Sequence, residues 1–99
     1  MDERDAADLT TVADVLVALR PASAGASEVL VRDVLARTTL RMPRVVALTR
    51  RYGAEIAQRL GVGHVRYEPS RYVRYVGPTP ARIYLGVSVP REQVQHVAP

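Results

Sequence analysis

The chain has 99 residues, enough for one domain with a modest core but not for two. Its 47% hydrophobic content predicts a folded chain, and the absence of Cys excludes a disulfide framework or a thiolate metal site. With only two His, we expect no metal site. We also expect no cofactor and no catalytic residue, because the sequence carries no motif for either. The apolar runs are too short for a membrane span, and the acidic start lacks the basic segment of a signal peptide, so we expect a cytoplasmic protein without a membrane partner.

Charge is distributed unevenly along the chain, whose formal net charge is +4. Residues 1–28 hold six acids and two Arg, whereas residues 29–99 hold twelve Arg and four acids. All fourteen basic residues are Arg, and the planar guanidinium group suits phosphate and carboxylate recognition. A GC-rich genome would also favour Arg codons over Lys codons, so Arg usage alone does not decide between these explanations.

The first part of the chain predicts two helices. One runs from Asp5 to Leu19, with an apolar seam at spacings of 3, 4 and 3 formed by Leu9, Val12, Leu16 and Leu19. Pro and Gly break this pattern over residues 20–26, which predicts a loop. Ser27 can then cap a second helix that ends near Arg37. Its inward side chains are predicted to be Val29 or Leu30, Val34 and Leu35.

The stretch 42–61 predicts the organising helix of the domain. An apolar stripe at spacings of 3, 4, 4 and 4 is formed by Val45, Leu48, Tyr52, Ile56 and Leu60. Pro43 suits the first helical turn, and Gly61 suits a left-handed C-cap. Gly53 costs roughly 1 kcal/mol against Ala in a helix interior. The sequence therefore predicts either one helix or two shorter helices that meet at Gly53.

After Gly61 the apolar period changes to two, which predicts strands over 64–67, 71–76 and 82–89. Turns are predicted at 68–70 and 77–80. In the third strand, the inward residues are predicted to be Ile83, Leu85, Val87 and Val89. The order predicts an α+β fold in which three helices are followed by a small antiparallel sheet. We expect one domain over 1–90 and a mobile tail over 91–99.

A basic band runs from Arg37 to Arg82, with ten Arg and two acids. Phosphate neutralisation is the obvious use of such a band on a helix and a hairpin. The candidate nucleic-acid contacts are Arg41, Arg44, Arg50, Arg51, Arg66, Arg71 and Arg74. The alternative is a solvated or protein-binding face, because Arg51, Glu55 and Arg59 can pair at i, i+4 spacing.

Tyr and Arg alternate in 66–67 and 71–75. Such a pattern could stack on bases while contacting phosphates, as in single-strand binders. More often, such residues fill a small sheet whose Arg stems cover the rings. No nucleotide-binding loop is present, because residues 61–63 lack a third Gly and a following helix and the chain has no Lys. We therefore expect a protein that is not an enzyme.

Three helices followed by a basic hairpin resemble the winged-helix variant of the helix-turn-helix. This resemblance implies that the third helix, with Arg41, Arg44 and Arg51, enters the major groove. It also implies that the hairpin around 68–71 is the wing. The sequence departs from the template in the length of the third helix, in Gly53, and in a third strand placed after the wing instead of early in the chain.

A second resemblance covers residues 44–92 and carries the motifs Val-Ala-Leu-Thr at 46–49, Ala57, Val-Arg at 65–66, Gly-Pro at 77–78 and Tyr-Leu-Gly-Val-Ser-Val-Pro at 84–90. In this order they resemble the segment before the motor of FtsK/SpoIIIE-type DNA translocases. The resemblance implies a DNA-apposed adaptor, not an ATPase. Here the gap between helix and strand is longer, a Tyr/Arg strand is inserted, and the opening strand of the family is missing.

These patterns predict a non-enzymatic module that binds duplex DNA through an Arg-bearing helix and a basic hairpin. It would act as a transcription regulator or as an accessory domain of a DNA-handling machine. The alternative is a protein-interaction or homodimerisation module, in which the acidic first helix pairs with the basic second half. In that alternative the seam of Leu9, Val12, Leu16 and Leu19 would form the dimer interface.

Overall fold

This computed structural model describes residues 1–22 and 24–90, which contain three helices and five short strands. In chain order they are α1 (Glu3–Leu19), β1 (Ser27–Leu30), α2 (Val31–Leu35), α3 (Met42–Leu60), β2 (Val65–Glu68), β3 (Arg71–Val73), β4 (Gly77–Thr79) and β5 (Arg82–Leu85). The predicted α+β fold with three helices and a small antiparallel sheet is confirmed. The predicted tail, 91–99, lies outside the described residues.

Helices α1 and α3 pack against each other and bury their predicted apolar faces. On α1, Leu9, Val12 and Leu16 are fully buried, and they share one core with Val45 and Ile56 of α3. Because the α1 seam is covered within the chain, it is not free to form the dimer interface that the sequence suggested. None of the helices in the described residues is long and apolar enough to cross a membrane.

The ends of α1 and α3 follow from local chemistry. Asp2 caps α1, because its carboxylate accepts a hydrogen bond of 2.7 Å from the backbone N–H of Asp5. Pro43 lies in the first turn of α3, and Gly61 ends the helix at φ +69°. Both predictions for the ends of α3 are confirmed.

Helix α3 is kinked at Tyr52, whose φ and ψ of −119° and 27° are not helical. The kink lies beside Gly53, so the two alternatives that the sequence left open combine into one bent helix. A Cβ atom added at Gly53 would lie 2.8 Å from the backbone oxygen of Val65. The missing side chain therefore lets α3 approach strand β2 closely.

The prediction of a single helix over residues 27–37 is wrong, because the early strand β1 begins this segment. The structure has a four-residue strand followed by the short helix α2, where the sequence predicted one helix. In the strand order β1-β5-β2, β1 pairs antiparallel with β5, from Ser27 opposite Leu85 to Leu30 opposite Arg82. A run of β-branched and aliphatic residues suits either a helix or a strand, and pairing with a strand far along the chain decides the outcome.

The predicted turns of the second half are also wrong. Strands β2 and β3 do not pair with each other, because β2 pairs with β5 and β3 pairs with β4. The segment 65–85 is thus one long hairpin whose tip is 74–76, and the predicted turn at 77–80 contains β4. Pro69 and Pro80 lie between the β2–β5 ladder and the β3–β4 ladder, one on each side of the hairpin. Proline has no backbone N–H, so neither residue can donate a hydrogen bond across the hairpin at this point.

Strand β5 ends at Leu85, earlier than the predicted end at residue 89. Ile83 and Leu85 are buried as predicted, but Val87 is 58% exposed. Gly86 follows the strand closely beside His64, whose backbone nitrogen would lie 3.1 Å from an added Cβ atom. The alternation of apolar and polar residues continues to Val89 in the sequence, whereas strand β5 ends at Leu85.

Candidate nucleic-acid interface

One side of α3 presents arginines and small residues to solvent. We call this side the arginine face of α3, and it consists of the exposed residues Ala47, Arg50, Arg51 and Ala54. Arg41 is also exposed, but it is the N-cap that precedes the helix. The chain has no acidic residue between Arg41 and Ala54. Side chains as small as Ala let a helix backbone approach a flat or grooved partner closely, while the flanking guanidinium groups supply positive charge.

The arginine face continues into a groove between α3 and β2. The groove has a volume of about 440 Å³ and is lined by Thr49, Arg50, Arg51, Gly53, Ala54, Val65, Arg66 and Tyr67. Three of these lining residues are Arg and none is acidic. The guanidinium carbon of Arg50 lies 5.1 Å from the centre of the Tyr67 ring, and that of Arg51 lies 5.3 Å from the Tyr52 ring. These contacts hold both charges above the groove without neutralising them.

Arg66 also lines the groove, but its guanidinium group is already paired with a carboxylate. Its Nη2 lies 2.7 Å from Glu68, and its guanidinium carbon lies 5.0 Å from the Tyr84 ring centre. Glu68 also binds Arg82 at 2.8 Å. The hydrogen bond from Arg66 is the main reason that the pKa of Glu68 lies below its ordinary value. The structure therefore places Arg66 at the edge of the sheet, in an ion-pair network.

Arg44, the remaining predicted contact on α3, has a different environment from Arg51. Its Nη2 lies 2.7 Å from Asp5 and 2.9 Å from Asp8 of α1, and its side chain is 29% exposed. The Tyr52 hydroxyl donates a 2.6 Å hydrogen bond to the other Asp5 oxygen. We call these four residues the Arg44 cluster, and it joins the start of α3 to α1.

Contacts within the Arg44 cluster shift the pKa values of Asp5, Tyr52 and Arg44. The pKa of Asp5, a residue that is 7% exposed, is lowered first by the hydrogen bond from Tyr52 and then by that from Arg44. The pKa of Tyr52 is raised, mainly because its hydroxyl donates to the Asp5 carboxylate. The pKa of Arg44 is raised by Asp5 and then by Asp8. Each charge has a partner within the cluster, and these contacts tie α3 to α1.

The tip of the long hairpin carries exposed arginine and aromatic side chains. Arg71 and Arg74 are exposed, as their predicted role in binding requires. Tyr72, Tyr75 and Val76 are 77%, 90% and 74% exposed. The Val76 N–H donates to the Val73 carbonyl at 3.1 Å, which closes a turn with Tyr75 at its third position.

The backbone of Tyr75 is strained, since its φ is +68°. A positive φ at the third position is typical of a type II turn, where Gly or Asn is preferred. For a residue with a side chain, this conformation costs about 1–2 kcal/mol. The sequence offered base stacking as a role for the Tyr and Arg residues of 71–75 but did not single out Tyr75, although a hairpin tip without Gly, Asn or Asp at 74–76 was a signal that could have done so.

The described residues offer no group of three or more His, Cys, Asp or Glu side chains that could hold a metal ion. The candidate interface consists of positively charged side chains on a helix, in a groove and on a hairpin. Comparisons with protein-family models, curated proteins and solved structures gave no match to the chain. The winged-helix and translocase resemblances therefore stay predictions that rest on the residues and the architecture.

Proposed function

We propose that the chain is a non-enzymatic, cytoplasmic module that binds duplex DNA and acts as a regulator or as an accessory domain of a DNA-handling machine. The observation that carries this proposal is the arginine face of α3, which has no acidic residue over 41–54 and continues into a groove lined by three Arg. An α-helix with a basic, small-residue face is of a size that the major groove of B-DNA admits. Arg50 and Arg51 are the residues that we expect to contact the duplex.

The order of elements supports the winged-helix resemblance within this proposal. Strand β1 comes early in the chain, between α1 and α2, which removes one of the departures noted from the sequence. The long hairpin after α3 has the position of a wing, with Arg71 and Arg74 near its tip. The kink at Tyr52 divides the unusually long α3, so the part up to Arg51 is the segment that we expect to enter the groove.

The protein-interaction alternative is less well supported. It required the acids of the first helix to pair with arginines of another copy or another subunit. Asp5 and Asp8 already bind Arg44 of the same chain, and the apolar seam of α1 is buried. The apolar seam and two of the acids on which that alternative depends are therefore not available to a partner, whereas Asp2, Glu3 and Asp14 are exposed.

Titration of a labelled random duplex at two salt concentrations tests the proposal. The double variant Arg50→Ala/Arg51→Ala should bind more weakly and lower the salt slope by about two units, since each phosphate contact contributes about one. The matched control is Arg4→Ala/Arg59→Ala, which removes the same charge elsewhere. Arg4 lies on α1, and Arg59 donates a 2.7 Å hydrogen bond to Thr10 of α1. We expect the control to keep most of the wild-type affinity.

Thermal melting of both double variants separates binding from folding. Exposed charges change stability by under about 1 kcal/mol, so both variants should melt close to the wild type. Equal loss of affinity in the two double variants would indicate general charge attraction without a defined face. If the wild type does not bind duplex DNA even at low salt, the proposal is wrong.

A further inference from the structure

The hairpin tip carries more exposed ring and aliphatic surface than folding requires. Tyr75 is 90% exposed, so it contributes almost nothing to the core, and its backbone nevertheless adopts φ +68°. Gly at this position would relieve the strain and remove an exposed aromatic ring from water. Strained residues that do not benefit packing are concentrated at functional sites, so the tip is a candidate binding surface.

The charges around the tip define the class of ligand. Arg74 lies over the Tyr75 ring, with its guanidinium carbon 5.0 Å from the ring centre. Arg71 is exposed on β3, and the chain has no acidic residue between Glu68 and Pro90. An aromatic ring beside one cation, with a second exposed cation further along the same hairpin, matches a ligand that joins a flat π system to phosphate groups, which is the chemistry of a nucleotide.

We propose that the hairpin tip is a stacking site for an unpaired nucleobase, with the Tyr75 ring as the platform and Arg71 and Arg74 as the phosphate partners. Arg74 covers one face of the ring, and the high exposure of Tyr75 leaves the other face open to one base. The inference rests on the proposed function, because duplex binding through the arginine face would bring DNA to the same molecule. It extends that function from paired DNA to DNA with an opened or unpaired region.

Stacking needs a base that is not held inside a duplex. A paired base exposes only its edges in the grooves, whereas an overhang or a bubble exposes its flat face. The module should therefore bind a duplex with an unpaired stretch more tightly than the same duplex without one. A single stacked base corresponds to a preference of about 5- to 150-fold, from about 1–3 kcal/mol per base.

The experiment uses the full chain and two labelled DNAs, a fully paired duplex and the same duplex with a short single-stranded overhang. Fluorescence anisotropy gives the affinity for each, and a 2-aminopurine in the overhang reports stacking through quenching. We expect the wild type to prefer the overhang and to quench the analogue. Tyr75→Gly should lose both effects and should melt at the same or a higher temperature. Tyr75→Phe keeps the ring and should retain both effects.

The outcomes separate this inference from the proposed function. Equal affinity of the wild type for the two DNAs, or an unchanged preference in Tyr75→Gly, would overturn the stacking site while leaving duplex binding intact. In that case the exposed tip would be better explained as a contact for another protein. Binding to the overhang alone would support the stacking site and overturn duplex binding. Binding to neither DNA would overturn both.

Discussion

Arg44 and Arg51 show how two residues of one type on one helix differ in role. They are seven residues apart, so the helical period predicts that they point in nearly the same direction. Arg51 is exposed beside the groove, whereas Arg44 reaches Asp5 and Asp8 of α1. The sequence could not separate them, because the partners of Arg44 are 36 and 39 residues away and become neighbours only when α1 packs on α3.

The Arg44 cluster predicts how stability depends on pH. The pKa of Asp5 is lowered, so its contribution is present above the ordinary value of 3.8 and is lost as pH falls through the lowered folded value. The pKa of Tyr52 is raised, so its contribution is present below the ordinary value of 10.0 and is lost as pH rises through the raised value. The cluster therefore stabilises the fold across the whole neutral range.

Asp5→Asn should lower the melting temperature at neutral pH. The melting temperature of this variant should also fall less than that of the wild type as the pH is lowered. The amide keeps the shape of the side chain but removes the charge that pairs with Arg44. Melting curves measured from neutral pH to below pH 3.8 test this expectation. Asp14→Asn, an exposed change on the same helix, is the control and should follow the wild-type curve. Parallel curves for Asp5→Asn and the wild type would show that the cluster does not couple folding to pH.

At the scale of the elements, α3 was the best predicted and β1 the worst. The stripe on α3 and its end residues specify a helix locally, without reference to the rest of the chain. Strand β1 depends on β5, more than fifty residues later, so no local pattern around Val29 could identify it. The hairpin tip was misplaced because Gly77 and Pro78, which are common turn residues, lie in β4 instead.

Gly53 gives a test of the contact between α3 and β2. In an isolated helix Gly→Ala stabilises by roughly 1 kcal/mol, but here the new methyl group would meet the Val65 carbonyl. We expect Gly53→Ala to destabilise the fold by about 1–3 kcal/mol, as in other overpacked sites. Gly25→Ala is the control, because an added Cβ atom there meets nothing within 4 Å. Urea unfolding measures both, and a more stable Gly53→Ala variant would show that the helix and strand are not in close contact.

At the scale of the whole molecule, one core joins all three helices to the three-stranded sheet. Residues from α1, α2, α3, β1, β2 and β5 belong to a single buried cluster. Most core residues of α1 and α3 followed from the apolar period. The arginine face could be predicted from the sequence only in part. Composition gave the number of arginines but did not show which of them would pair with acids of α1.

Leu16→Ala tests whether the α1 seam belongs to the core. Leu16 is fully buried, so its truncation should cost about 2–5 kcal/mol, a large share of the roughly 5–15 kcal/mol typical of a domain. Val17→Ala is the control, because Val17 is 47% exposed on the same helix. The urea midpoint should not depend on protein concentration, since the seam packs within one chain. A stable Leu16→Ala variant with a changed oligomeric state would instead make the seam an interface.

The Arg44 cluster also bears on how this protein can change over evolutionary time. Arg44 holds α3 in place through α1, so substitutions at Arg44, Asp5 or Tyr52 are constrained by folding whatever the ligand is. Arg50 and Arg51 support no comparable buried pairing, so drift at those two positions can alter recognition without loss of the fold. After a gene duplication, two copies could diverge in target while sharing one scaffold. Among such descendants, the residues that hold the helix would vary together and the residues on its arginine face would vary with the target.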